Sequence, residues 1–181
     1  MIVLSLTAVS LGGCTAQSER EGIITEEQFK NLLTVQDIEN VLVSGVEFDV
    51  KFYDYKKLAE STDPQQVANM DSFYGLSFQA VDGISGLTFS VIDFDFQTSA
   101  DNHFEKMKLD TPGLENMAPP IGDTSAEVEL NTQGIGSIIV FTLGDRIVSF
   151  HTAMPEGESP IVDLNALEEL ARLVEERLKI V

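Results

Sequence analysis

GLTFSVIDFDF, residues 86–96, decides how many layers the fold needs. Successive side chains of a strand point to opposite faces, so Leu87, Phe89 and Val91 share one side while Ile92, Phe94 and Phe96 share the other. A strict period of two cannot bury both sets against a single core. Two arrangements resolve the conflict. A β-bulge near Val91 and Ile92 turns both sets inward and leaves Asp93 and Asp95 in solvent. Alternatively the strand is central, with both faces covered and the two aspartates held near its exposed end.

The flanking segments supply the partners for such a strand. Upstream, YGLSFQAV (74–81) alternates Tyr74, Leu76, Phe78 and Ala80 with small or polar residues, and the glycines of DGISG (82–86) suit a tight return, which makes a hairpin. VEFDVKFYDY (46–55) alternates Val46, Phe48, Val50 and Phe52 with polar neighbours and reads as a half-buried strand. Downstream, SADNHFEKMKL (99–109) reads as a helix packing Phe104 and Met107, with Ser99 or Asp101 as its cap. TPGLENMAPPIGD (111–123) is too rich in Pro and Gly for regular structure.

Three further strands follow in SAEVELN (125–131), GIGSIIVFTL (134–143) and RIVSFHTAM (146–154). The first turns Ala126, Val128 and Leu130 inward, and the second is apolar on both faces and therefore central. The chain closes with DLNALEELARLVEERLKIV (163–181), whose Leu164, Leu167, Leu170, Ala171, Val174 and Leu178 form one stripe at helical spacing. Asp163 suits its N-cap, and Glu168 with Arg172 and Glu175 with Lys179 are helix-supporting pairs. Before the first strand, residues 24–43 fit one broken helix or two short ones, with Thr34 and Asp37 as a capping pair. The fold class is α+β: an antiparallel sheet of about six strands packed against helices, in which the order strand, strand, strand, helix occurs twice.

The 181 residues, 43% of them hydrophobic, suffice for one domain with a substantial core. Asp plus Glu number 30 against 11 Lys plus Arg, a net charge of -19 that disfavours binding to a phosphate backbone, so nucleic acid is excluded as a partner. At the N-terminus, LSLTAVSLGGCTAQSE (4–19) places the single cysteine where an apolar run ends. The run from Ile2 to Leu11 falls far short of the ~20 residues of a spanning helix and has the length of a signal-peptide hydrophobic region.

Leu11, Gly12, Gly13 and Cys14 resemble the lipobox of bacterial lipoproteins, in which an aliphatic residue and two small ones precede the cysteine. The resemblance implies cleavage between Gly13 and Cys14, a diacylglycerol on the Cys14 sulfur, and a further acyl chain on the new N-terminus. It divides the chain into a signal peptide (1–13), a lipidated cysteine with its tether (14–24) and one α+β domain (25–181). Two or three acyl chains hold a protein on a bilayer at ~0.8 kcal/mol per buried methylene, without any spanning helix. The expected place is the extracytoplasmic side of the cell envelope; Thr15, which is not aspartate, points to the outer membrane if the host has one. One departure is that no Lys or Arg precedes Arg20, where signal peptides begin with a basic residue; a start upstream of Met1 would supply it. The body of the chain, by its element order and by no diagnostic motif, is similar to small exported domains of the PsbP and Mog1 kind.

Catalytic and cofactor signatures are weak. His103 and His151 are the two histidines and Cys14 the one cysteine, so nitrogen and sulfur zinc sites lack ligands and HExxH is absent. His103 reads as a surface residue of a helix, and His151 as a sheet-face residue or a general base. GISG (83–86) is one residue short of a nucleophile elbow, and GIGS (134–137) lacks the third glycine and the helix of a dinucleotide loop. DFDFQTSADNHFE (93–105) spaces oxygen side chains as a calcium loop does, but Thr98 stands where the glycine belongs; Asp93, Asp95 and Asp101 remain weak metal candidates. Tyr53, Tyr55, Phe73 and Tyr74 could form a small exposed aromatic patch.

Three functions follow as expectations, none with a cofactor. The leading one is a lipid-anchored, non-catalytic module that binds an envelope protein or a small ligand. The second is a carrier for a small apolar ligand held between sheet and helices, which requires a cavity. The third is a hydrolase-type enzyme, which requires His151 to meet a carboxylate in a cleft.

Overall fold

The computed structural model describes residues 22–42, 45–81, 84–132, 134–155 and 158–181. The signal peptide, Gly13, Cys14 and most of the tether lie outside the described residues.

One seven-stranded antiparallel sheet organises the rest, in the order β1-β2-β3-β7-β6-β5-β4. Its strands are β1 Phe48–Asp54, β2 Met70–Ala80, β3 Gly86–Phe94, β4 Glu115–Asn116, β5 Thr124–Thr132, β6 Ile135–Leu143 and β7 Arg146–Ala153. The helices are α1 Glu26–Lys30, α2 Val35–Val41, α3 Tyr55–Glu60, α4 Gln97–Asp110 and α5 Leu164–Leu178, with a 3-10 turn at Pro64–Val67. β1, β2 and β3 form one meander and β5, β6 and β7 another, and the antiparallel pairing of β3 with β7 joins them. The seventh strand is the two-residue edge piece β4, which pairs Glu115 and Asn116 with β5 inside a segment expected to be irregular.

The register of residues 86–96 is resolved by covering both faces. β3 pairs with β7 without interruption through Val91↔Val148, Ile92↔Ile147 and Asp93↔Arg146, so the bulge expected at Val91 and Ile92 is not there. The irregularity lies in the partner strand instead, between Met70 and Ser72 of β2. On one face Phe89, Val91, Val148, Phe150, Ile139 and Phe141 pack against Phe29 of α1, Ile38 of α2 and the stripe Leu167, Leu170, Ala171, Val174 and Leu178 of α5. On the other face Ile92, Phe94, Ile138, Val140 and Ile147 pack against Ala100 and Phe104 of α4. The recurring order of three strands and a helix is therefore not a structural two-fold: an axis normal to the sheet would put α4 and α5 on the same side.

Two consequences correct the sequence reading of β3. Asp93 does not face solvent but is buried, at 3% exposure. Phe96 lies beyond the strand end, 62% exposed, and needs no core of its own. α4 begins at Gln97, so Ser99 and Asp101 are inside it rather than capping it, and its N-cap Phe96 makes no side-chain cap bond. Tyr55, read as strand, instead opens α3, which Asp54 caps by accepting from the Lys57 N–H.

The N-terminal segment forms two short helices, each opened by a capping box, Thr25 with Gln28 and Thr34 with Asp37. Ile24, assigned to the tether, already belongs to the core. Asp163 caps α5 as expected, and the Glu168–Arg172 and Glu175–Lys179 pairs form.

Arg177 ties α5 to α2: its two terminal nitrogens donate to the Asp37 carboxylate at 2.7 and 2.8 Å, and one also donates to the Leu32 carbonyl. The Arg177 hydrogen bonds, with those from Thr34, hold the Asp37 pKa at about 2 against an ordinary 3.8, over the opposing effect of burial. A carboxyl whose pKa is depressed by folding stabilises the fold above its unfolded pKa, and that contribution disappears as pH falls through the folded value. Stability should thus decline by about 1–2 kcal/mol between about pH 4 and pH 2 through this group. Denaturant titrations across that range check it: Asp37→Asn should flatten this part of the profile, and an unchanged profile would contradict the assignment.

Candidate functional site

α4 covers only part of its sheet face. Where it stops, β3 and β7 continue with polar side chains on that face: Ser90 lies opposite Ser149 and Thr88 opposite His151, whereas Ile92 and Ile147 lie at the α4 end. These six residues floor a recess of about 400 Å3. One wall is α4, contributing His103 and Met107 one turn apart on the same helix side. The opposite wall is aromatic, Tyr55 from the start of α3 and Phe73 from β2, and Met70 closes the end near α4.

Local packing explains the aromatic wall. The Tyr55 ring stacks on Tyr53 at 5.4 Å and meets Phe73 at 4.8 Å. It lies over Gly75, where a Cβ would come within 2.3 Å of the ring, so a larger residue there would push Tyr55 aside. Of the expected exposed aromatic patch, Tyr53, Tyr55 and Phe73 do come together, but half-buried rather than exposed. Tyr74 is not part of it; its ring turns to the other face and packs on Phe29 and Phe52.

No Asp, Glu, Lys or Arg lines the recess among the described residues. Its polar groups are hydroxyls, a phenol and two imidazoles. The Ser90 and Ser149 hydroxyls are 2.7 Å apart and hydrogen-bonded to each other. Burial lowers the His151 pKa, and burial together with Lys106 lowers that of His103, so both imidazoles stay neutral to lower pH than a free histidine. A neutral imidazole offers one N–H donor and one nitrogen acceptor. The His103 ring also rests near that of Phe94, at 5.4 Å, which brings it in from the helix surface where it was expected. Burial, with the neighbouring Tyr53, raises the Tyr55 pKa and keeps its phenol protonated.

The other expected residues fall elsewhere. Asp93 is engaged on the opposite face, where Arg146 Nε donates to it at 2.7 Å and the Ser72 hydroxyl and Ile24 N–H also donate. Asp101 is exposed on α4 and Asp95 lies past the end of β3. Asp93, Asp95 and Asp101 do not assemble: no group of three His, Cys, Asp or Glu residues able to hold a metal occurs among the described residues. Among the described residues no carboxylate lines the recess beside His151, so the pairing that an enzyme reading requires is not seen there.

Sequence reading missed Thr88, Ser90, Ser149, Met70 and Met107 as site residues. The signal was present in SFHT and TFSV, where hydroxyl and imidazole side chains alternate with large apolar ones on two interior strands. Interior strands carry polar residues on one face where that face is left uncovered. No protein-family model matches the chain, and no curated protein aligns with it significantly.

Proposed function

We propose that this protein is a lipid-anchored, extracytoplasmic binding module that holds a small, mostly apolar ligand in the recess between β3, β7, α3 and α4. The observation that carries the reading is the recess itself: a concave, largely apolar site with a few convergent neutral polar groups, which is the usual composition of a small-molecule site. A volume of about 400 Å3 falls within the ~300–1,000 Å3 of such sites. Binding without chemistry fits a lining that has hydrogen-bonding groups but no charged acid, base or electrophile.

Anchoring rests on the Leu11-Gly12-Gly13-Cys14 run. No helix among the described residues is long and apolar enough to cross a membrane; the attachment in this reading is the lipid on Cys14.

Titration of the full chain with the fluorescent apolar probe N-phenyl-1-naphthylamine tests the site. Saturable binding is expected, weakened at least about tenfold in Ser90→Phe, whose ring would project into the recess; equal binding by this variant, with its thermal midpoint retained, would contradict the assignment. Metabolic labelling with radioactive palmitate in a bacterial host tests the anchor. Label and membrane sedimentation should both be lost in Cys14→Ser, and an unlabelled wild-type chain would refute the lipidation.

A further inference from the structure

The floor of the recess is graded along the β3–β7 ladder, and the grading defines what can lie there. The pair Ile92 and Ile147 is aliphatic, Ser90 with Ser149 is hydroxylic, and Thr88 with His151 pairs a hydroxyl with an imidazole. Only the Ser90–Ser149 contact is satisfied internally. Among the described residues neither the Thr88 hydroxyl nor the His151 imidazole has a protein hydrogen-bond partner. In the serine pair the accepting hydroxyl keeps its own hydrogen to donate.

Charge narrows the class further. The chain carries a net charge of -19 and the recess offers no cation, so an anionic head group would be desolvated with nothing to compensate it. With no carboxylate in the lining, a buried ammonium would lack a counter-ion as well. A pure hydrocarbon fits the aliphatic end but would strip water from Thr88, His151 and the remaining hydroxyl hydrogen of the serine pair and leave them unpartnered, at a cost per group comparable to a lost hydrogen bond. A head group that is uncharged and both donates and accepts meets every condition.

We infer that the ligand is a neutral amphiphile with a hydroxyl head group, of the fatty alcohol or glyceride class. Its hydroxyl lies over Ser90, Ser149 and His151, and its apolar body runs over Ile92 and Ile147 between Tyr55 and Met107. The inference rests on the reading of the recess as a ligand site. It adds the ligand's orientation and the selection of an uncharged hydroxyl over an ionised or donor-free head.

Displacement of N-phenyl-1-naphthylamine from the full chain at pH 8 by 1-decanol, decyl methyl ether and decanoate separates the two claims. Decanol should displace the probe at about three- to tenfold lower concentration than the ether, the effect of one added hydrogen bond, and decanoate should be the weakest. In the double variant Ser90→Ala/Ser149→Ala, referred to its own measured probe affinity, the advantage of decanol over the ether should shrink at least about twofold, the remainder resting on His151. A native chain that binds the probe but treats decanol and ether alike, or prefers decanoate, overturns this inference and leaves the ligand site standing, as does a double variant that retains the full preference. A native chain that does not bind the probe overturns both.

Discussion

The buried ion pair between Asp93 and Arg146 is the constraint on which the arrangement of the sheet depends. The two residues are direct partners at the end of the β3–β7 ladder, the one pairing that joins the two meanders. Arg146 donates to Asp93 through Nε and to the Gly22 carbonyl through a terminal nitrogen, while Asp93 also accepts from Ser72 and from the Ile24 N–H. One salt bridge thus joins both meanders and the segment that leads into α1. Removing one partner of such a buried pair costs about 3–5 kcal/mol, because the other charge remains desolvated. A register slip between β3 and β7 would do the same. It would also exchange the faces of every residue on the slipped strand, sending Ser149 and His151 into the α5 core and Val148 and Phe150 into the recess.

The recess exists because the two helical layers cover unequal lengths of sheet. α1, α2 and α5 cover the aromatic-rich face, whereas α4, with Tyr55 at the start of α3, covers part of the other. Neutral polar side chains occupy the uncovered part of β3 and β7, and the Tyr55 ring, seated on Gly75, walls it on the side away from α4. An uncharged site on a chain of net charge -19 is a selective feature: the acidic surface disfavours anions at a distance, and the lining disfavours any ion at contact.

Much of the fold was legible because periodicity reports burial directly. The two-sided apolar pattern of residues 138–141 marked β6 as interior, and the stripe from Leu164 to Leu178 marked α5 with its Asp163 cap. The misreadings share a cause, which is tertiary context outweighing local pattern. The conflict at Val91 and Ile92 had two solutions, and the choice depended on whether α4 returned across the second face. Asp93 looked solvent-bound because its partner Arg146 lies 53 positions away. α3 was absorbed into a strand because Tyr53, Asp54 and Tyr55 continue the alternation of β1 while Asp54 caps a helix. The site was less legible than the fold. His103 and His151 stood out only as rare residues, and no local pattern shows that Tyr55, Met107 and Ser149 border the same space.

Methionine methyl groups report on that space selectively. Met70 and Met107 line the recess, whereas Met117 and Met154 are buried away from it. A 13C-methyl-methionine NMR titration of the full chain with 1-decanol is therefore the most direct measurement of whether the recess is the ligand site. Saturable shifts of the Met70 and Met107 signals, with Met117 and Met154 unmoved, are the result expected of ligand seated over Ile92 and Ile147. Unmoved Met70 and Met107 signals at saturating alcohol, or equal shifts at all four, would contradict it.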